Sequence, residues 1–150
     1  MRISFLLLLM IPFLYGCNPS PKSGHGFTLP DGDAQRGEKT FVQLQCHACH
    51  TVDGVELEQL ETSPSEQLVV LGGETTYVRN YGNLVTSIIN PSHRFALGYQ
   101  TEAIKTEEGE SKMRLYNDEM TVTQLIDLVA FLQGRYKVVP IQTTPYMPYY

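Results

Sequence analysis

The hydrophobic pattern changes character four times along the chain. Ile3 to Leu14 form an apolar run containing Pro12, preceded by Arg2. A run of this length falls short of the about 20 residues a transmembrane helix needs, so it predicts a signal peptide over 1–16. Residues 18–30, NPSPKSGHGFTLP, have no periodicity and are rich in Pro, Gly and Ser. They read as a flexible tether in which His25 is solvated. Helical spacing begins after Asp33, which is placed to cap the first turn. Phe41, Val42 and Leu44 supply the apolar stripe. Gly37 inside this helix costs about 1 kcal/mol relative to Ala, so its presence predicts the close approach of another helix.

A second amphipathic helix is predicted over Tyr77–Ile89, with Leu84, Val85, Ile88 and Ile89 as its apolar face. Asn90-Pro91 stops it, because the residue before proline avoids helix. The third reads TVTQLIDLVAFLQG. Thr121 and Gln124 form a capping-box pattern, and Met120 with Leu125 fits a hydrophobic staple. Leu125, Leu128, Val129 and Leu132 give the core stripe, and Gly134 ends the helix. Between helices, residues 51–76 hold many acids, Pro64 and Gly72-Gly73, and read as a long loop. Residues 99–116 alternate around Glu107-Glu108-Gly109-Glu110, with room for a small β-hairpin bearing an acidic turn. The expected organisation is therefore a signal segment 1–16, a tether 17–30, one mainly α-helical domain 31–137 and a Pro/Tyr-rich tail 138–150.

Charge narrows the partners. The chain of 150 residues carries 11 Lys and Arg against 16 Asp and Glu, a net charge of −5. Loss of residues 1–16 removes only Arg2 and leaves −6. An acidic balance argues against nucleic acid, whose phosphates need a basic footprint. It is compatible with a basic protein partner.

Three cysteines, Cys17, Cys46 and Cys49, make a simple disulfide framework a poor explanation. Cys17 follows Leu14-Tyr15-Gly16, which resembles a bacterial lipobox: an aliphatic residue, a spacer, a small residue, then the cysteine that receives diacylglycerol. Tyr15 is larger than the usual spacer, and an ordinary secreted protein with a free Cys17 is the alternative. Cys46-His47-Ala48-Cys49-His50 carries the chemistry. Two thiols at this spacing add across the two vinyl groups of one porphyrin while the next imidazole reaches the iron, so C-x-x-C-H reads as covalent attachment of one haem c. A thioredoxin-like pair would call for a βαβ pattern that is not seen around it. A zinc site would need two further ligands at matching spacing.

Gly32-Asp33-Ala34-Gln35-Arg36-Gly37-Glu38, then Phe41, then CHACH resembles the opening of class I c-type cytochromes. LIDLVAFL resembles their final helix, and Phe131 stands where that family often has tyrosine. SIINPS with Gly98-Tyr99 is similar to the cytochrome c domain fused to some oxidase subunits II. The resemblance implies a cytochrome c fold, with N- and C-terminal helices crossing at Gly37 and Phe41 around one covalent haem. It implies a proline carbonyl that accepts from the haem histidine; Pro64 is the nearest candidate, and that role stays open. It also implies an axial methionine in the loop before the last helix, where Met113 fits the offset. Met120 falls at the staple position, while His93, an open iron position and Met147 in the tail are the remaining alternatives. Arg114 follows Met113 where the family often has proline. Tyr81 and Tyr99 are expected either at the haem pocket or in ordinary packing.

The expected function is a lipid-anchored one-electron carrier on the periplasmic side of a bacterial membrane, not an enzyme. A redox protein donor and acceptor would be its partners, with the membrane engaged through the lipid on Cys17. His50 and Met113 would hold the iron. A dedicated electron-transfer subunit of a periplasmic oxidoreductase is one alternative. A peroxidase or gas sensor with an open iron position is another, for which His93 is the available distal group.

Overall fold

A computed structural model describes residues 27–58, 68–77 and 80–140. The signal segment, Cys17, Pro64, Met147 and the tail from residue 141 lie outside the described residues.

Helix α1, Ala34–Gln43, starts where Asp33 accepts from the Gln35 and Arg36 N–H groups, both at 2.9 Å. Helix α2 is Tyr81–Ile89, capped by Asn80. A single helical turn, α3, covers Thr101–Ile104. Helix α4, Val122–Gln133, has the full capping box between Thr121 and Gln124. Phe41 and Phe131, both almost wholly buried, meet edge-to-face with centroids 5.8 Å apart where α1 packs on α4. Leu84, Val85 and Ile88 of α2 join Leu128, Val129 and Leu132 of α4 in the same core.

Gly37 makes the α1–α4 approach sterically feasible. A Cβ at this position would sit 2.0 Å from the Asp127 carbonyl oxygen and 2.7 Å from the Phe131 Cβ. The same contact is clamped electrostatically. Asp127, 3 % exposed, accepts from the Asp33 N–H at 2.7 Å, from Arg36 Nε at 2.7 Å and from Arg36 Nη2 at 3.0 Å. The Arg36 hydrogen bonds, helped by that of Asp33, hold the Asp127 carboxyl below its usual range. A folded-state value depressed below the unfolded value of about 3.9 gives stability that is complete above that value. It is lost as pH falls through the folded value. Asp127→Asn is expected to lower Tm at neutral pH and to flatten the fall of Tm on acidification, measured by thermal unfolding from pH 7 downward.

The structure departs from the pattern-based expectation in four places. Residues 51–76 are not one long loop: β1, His50–Val52, pairs in parallel with β2, Val69–Leu71. Strand β3, Gly73–Thr75, pairs in parallel with β4, Tyr136–Val138, so the start of the expected tail belongs to a sheet. Three-residue strands are too short to show alternation, and their partners lie far away in sequence. The 99–116 hairpin is reduced to a single antiparallel bridge, Lys105 to Ser111, because α3 takes up the first arm. Finally, the last tether residues are packed. Leu29 lies against the core, and the Tyr81 hydroxyl donates to the Phe27 carbonyl at 2.8 Å.

Candidate functional site

The cysteine motif is wedged between a helix end and a strand start. The C-cap Leu44 N–H donates to Thr40 O at 2.9 Å, ending α1. Gln45 then adopts a left-handed backbone, φ 57°, which is uncommon for a residue with a Cβ. Its carbonyl accepts from the Ala48 N–H at 3.0 Å, and Cys46–Ala48 form one tight 3-10 turn. The Cys49 N–H closes on Cys46 O at 3.2 Å, and His50 opens β1.

Cys46 and Cys49 are not joined in a disulfide. Burial pushes the Cys46 thiol up to about 11, and burial also raises that of Cys49. Both are neutral thiols at neutral pH. A dithiol built for disulfide exchange needs the opposite shift, toward thiolate, so the thioredoxin-like alternative loses ground. Among the described residues, no three His, Cys, Asp or Glu side chains converge as a metal-binding group, which leaves a zinc site without its further ligands there.

His50 Nδ1 lies 3.3 Å from the Val69 carbonyl oxygen. A carbonyl only accepts, so Nδ1 carries the proton and Nε2 presents its lone pair. Burial lowers the His50 pKa against the opposing effect of the Val69 hydrogen bond. The ring is therefore neutral at neutral pH, as an imidazole ligand must be.

Of three hollows that His50 lines, two also reach Met113. The first holds about 490 Å³ of empty space, part of it open to solvent, and its lining is almost entirely apolar. Phe41, Ile88, Leu128 and Leu132 form its floor, and Cys46, His50, Met113 and Met120 also line it. The second is an open cleft of about 1700 Å³, bounded by Val69, Phe95, Leu97 and Tyr99 among others. His50, Leu71 and Met113 line both. Cys49 lines neither; it is half-buried at the end of the turn.

The expected ligand candidates separate in space. The Met113 N–H donates to Ser111 Oγ at 3.1 Å, and the Ser111 N–H donates to Ser92 Oγ at 3.0 Å, so the loop is tied down next to the methionine. Met120 reaches the first hollow but also packs on the core, its N–H donating to Tyr116 O at 2.8 Å. The exposed His93, with Nδ1 2.9 Å from Asn90 O, lines none of these walls. Tyr99 lines the open cleft, whereas Tyr81 packs against Phe27.

Sequence patterning missed three residues. Val69 supplies the carbonyl that orients His50, a backbone role that leaves no mark on residue type. Tyr116, buried, donates from its hydroxyl to Leu44 O at 2.9 Å and ties the methionine loop to the end of α1. Asp127 was visible as the one charge inside LIDLVAFL. Comparison with protein-family models, curated proteins and solved structures gave no match.

Proposed function

We propose that the chain is a monohaem c-type cytochrome of class I type, a one-electron carrier tethered by a lipid on Cys17 to the periplasmic side of a bacterial membrane. The observation that carries the reading is that Cys46, His50 and Met113 share one apolar hollow, with His50 Nδ1 engaged by a carbonyl so that the lone pair is on Nε2. The neutral thiol of Cys46, a neutral imidazole and a thioether around an apolar space, with Cys49 at the end of the same turn, fit haem c. Cys46 and Cys49 would form the thioethers, and His50 and Met113 the axial pair. When bound, the haem supplies one iron that cycles between ferric and ferrous.

The chain's own residues do the rest. Phe41, Leu128 and Leu132 exclude water from the hollow. The Val69 carbonyl orients the His50 ring and raises its basicity. The Ser92–Ser111–Met113 hydrogen bonds hold the second ligand's loop, and a thioether ligand favours the ferrous state. Redox protein donors and acceptors would exchange electrons through the open cleft. No substrate chemistry is assigned.

The test is a pyridine haemochrome assay on protein matured in a host competent for c-type cytochromes. One haem c per chain, retained through acidified-acetone extraction, is expected. Extractable haem, or none, would overturn the proposal.

A further inference from the structure

Among the described residues, strand β2 pairs on one side only, with β1. In the parallel β1–β2 pair the Val69 N–H donates to Cys49 O at 2.9 Å and the Asp53 N–H donates to Leu71 O at 2.8 Å. Strand alternation then turns the N–H of the intervening Val70 away from β1, toward the outer edge of the sheet. Val70 is exposed, so water could satisfy this N–H; a protein group does so instead. That group lies 29 residues on: the Val70 N–H donates to the Tyr99 hydroxyl oxygen at 2.9 Å.

The Val70 N–H and the Val69 C=O are two ends of one planar peptide group. His50 Nδ1 engages the oxygen end, at 3.3 Å, and Tyr99 Oη the nitrogen end, at 2.9 Å. A peptide whose N–H is engaged becomes a stronger acceptor at its oxygen, because hydrogen bonds in a chain polarise one another. We propose that Tyr99 is a positioning residue for His50, acting through the Val69–Val70 peptide to strengthen the His50 hydrogen bond and so raise the basicity of Nε2. The inference rests on the reading of His50 as the iron ligand.

The direction follows from the ligand's electronics. A stronger Nδ1–H···O bond gives the imidazole more anionic character, which stabilises ferric over ferrous iron. Tyr99 therefore holds the reduction potential down, opposing the upward pull of the Met113 thioether. A tyrosine that merely covered a strand edge would affect stability and leave the potential where it was.

The experiment compares wild-type and Tyr99→Phe holoprotein, full chain, by mediated spectroelectrochemical titration. At a fixed ambient potential near the midpoint, the ferric-to-ferrous ratio of Tyr99→Phe is expected to fall roughly threefold. At 59 mV per tenfold for one electron this is a rise of about 28 mV in the midpoint. Proton NMR of the ferrous protein should show faster solvent exchange of the His50 Nδ1–H. Should Tyr99→Phe fail to fold, Tyr99→fluorotyrosine keeps the side-chain shape and weakens the oxygen as an acceptor. A smaller shift of the same sign is then expected. A wild type that binds haem through His50, with an unchanged midpoint and exchange rate in both variants, overturns the role of Tyr99 and leaves the carrier reading standing. A wild type in which no haem is bound through His50 overturns both.

Discussion

On the proposed His50/Met113 ligation, Met113→Ala is expected to give a haem protein with an open iron position. The oxidised wild type should show the weak near-infrared sulfur-to-iron band of His/Met ligation, an expectation that follows from the class I resemblance. Met113→Ala should remove that band and open the iron to carbon monoxide and cyanide. It should also lower the midpoint potential by on the order of 0.1–0.3 V, within the range of roughly 0.8 V that axial ligation spans. Met113 is the methionine that lines both hollows beside His50. Met120→Ala is the control. Its half-buried side chain packs on the core, so the band should survive while stability falls by about 1–3 kcal/mol, less than for a fully buried methionine. Optical spectra with and without carbon monoxide, with a denaturant titration for each variant, separate the two. If Met120→Ala abolishes the band instead, the ligand is Met120.

Gly37→Ala is expected to cost about 3 kcal/mol or more, because the added methyl meets backbone rather than a movable side chain. Its Cβ would lie 2.0 Å from the Asp127 carbonyl oxygen, so α1 and α4 must separate. Separation also disrupts the Phe41–Phe131 contact and the Arg36–Asp127 bonds. Alanine gains about 1 kcal/mol in helix propensity over glycine, too little to offset the overlap. Urea unfolding measures the loss. A near-neutral outcome would mean that the helices cross more loosely than the structure describes.

The three longer helices were legible because each is marked by local chemistry. Asp33 caps α1 two and three residues away, Thr121 and Gln124 cap α4 reciprocally, and Asn90-Pro91 bounds α2. The cysteine motif is explicit in the sequence, and the structure adds the tight turn that carries Cys46 and Cys49 and the strand that opens at His50. Long-range features were not legible. The partner of His50 is a carbonyl that any residue type could supply, brought near by a strand pairing 19 positions apart. Pro64 was the nearest candidate for that role and lies outside the described residues, while Val69 is the residue found there. The parallel pairs β1–β2 and β3–β4 escaped because each strand has only three residues. For Tyr99 the sequence left pocket lining and ordinary packing equally open, and its bond to Val70 depends on which strand edge faces it.

The docking of Phe27 on Tyr81 places the first described residue beside the first turn of α2, with Phe27 and Tyr81 rings 6.1 Å apart. Nine residues lie between Cys17 and Phe27, and the ten steps from one to the other span at most about 35 Å. With a lipid on Cys17, the domain is confined to a thin layer above one leaflet. Partners embedded in that membrane would meet it at an effective concentration set by this reach, largely independent of how much of the protein the compartment holds. The tether also limits orientation. If Cys17 carries a lipid, the α2 end would be held on the membrane side, and a short leash would favour acceptors whose electron-entry site faces the layer from the bilayer over freely diffusing ones.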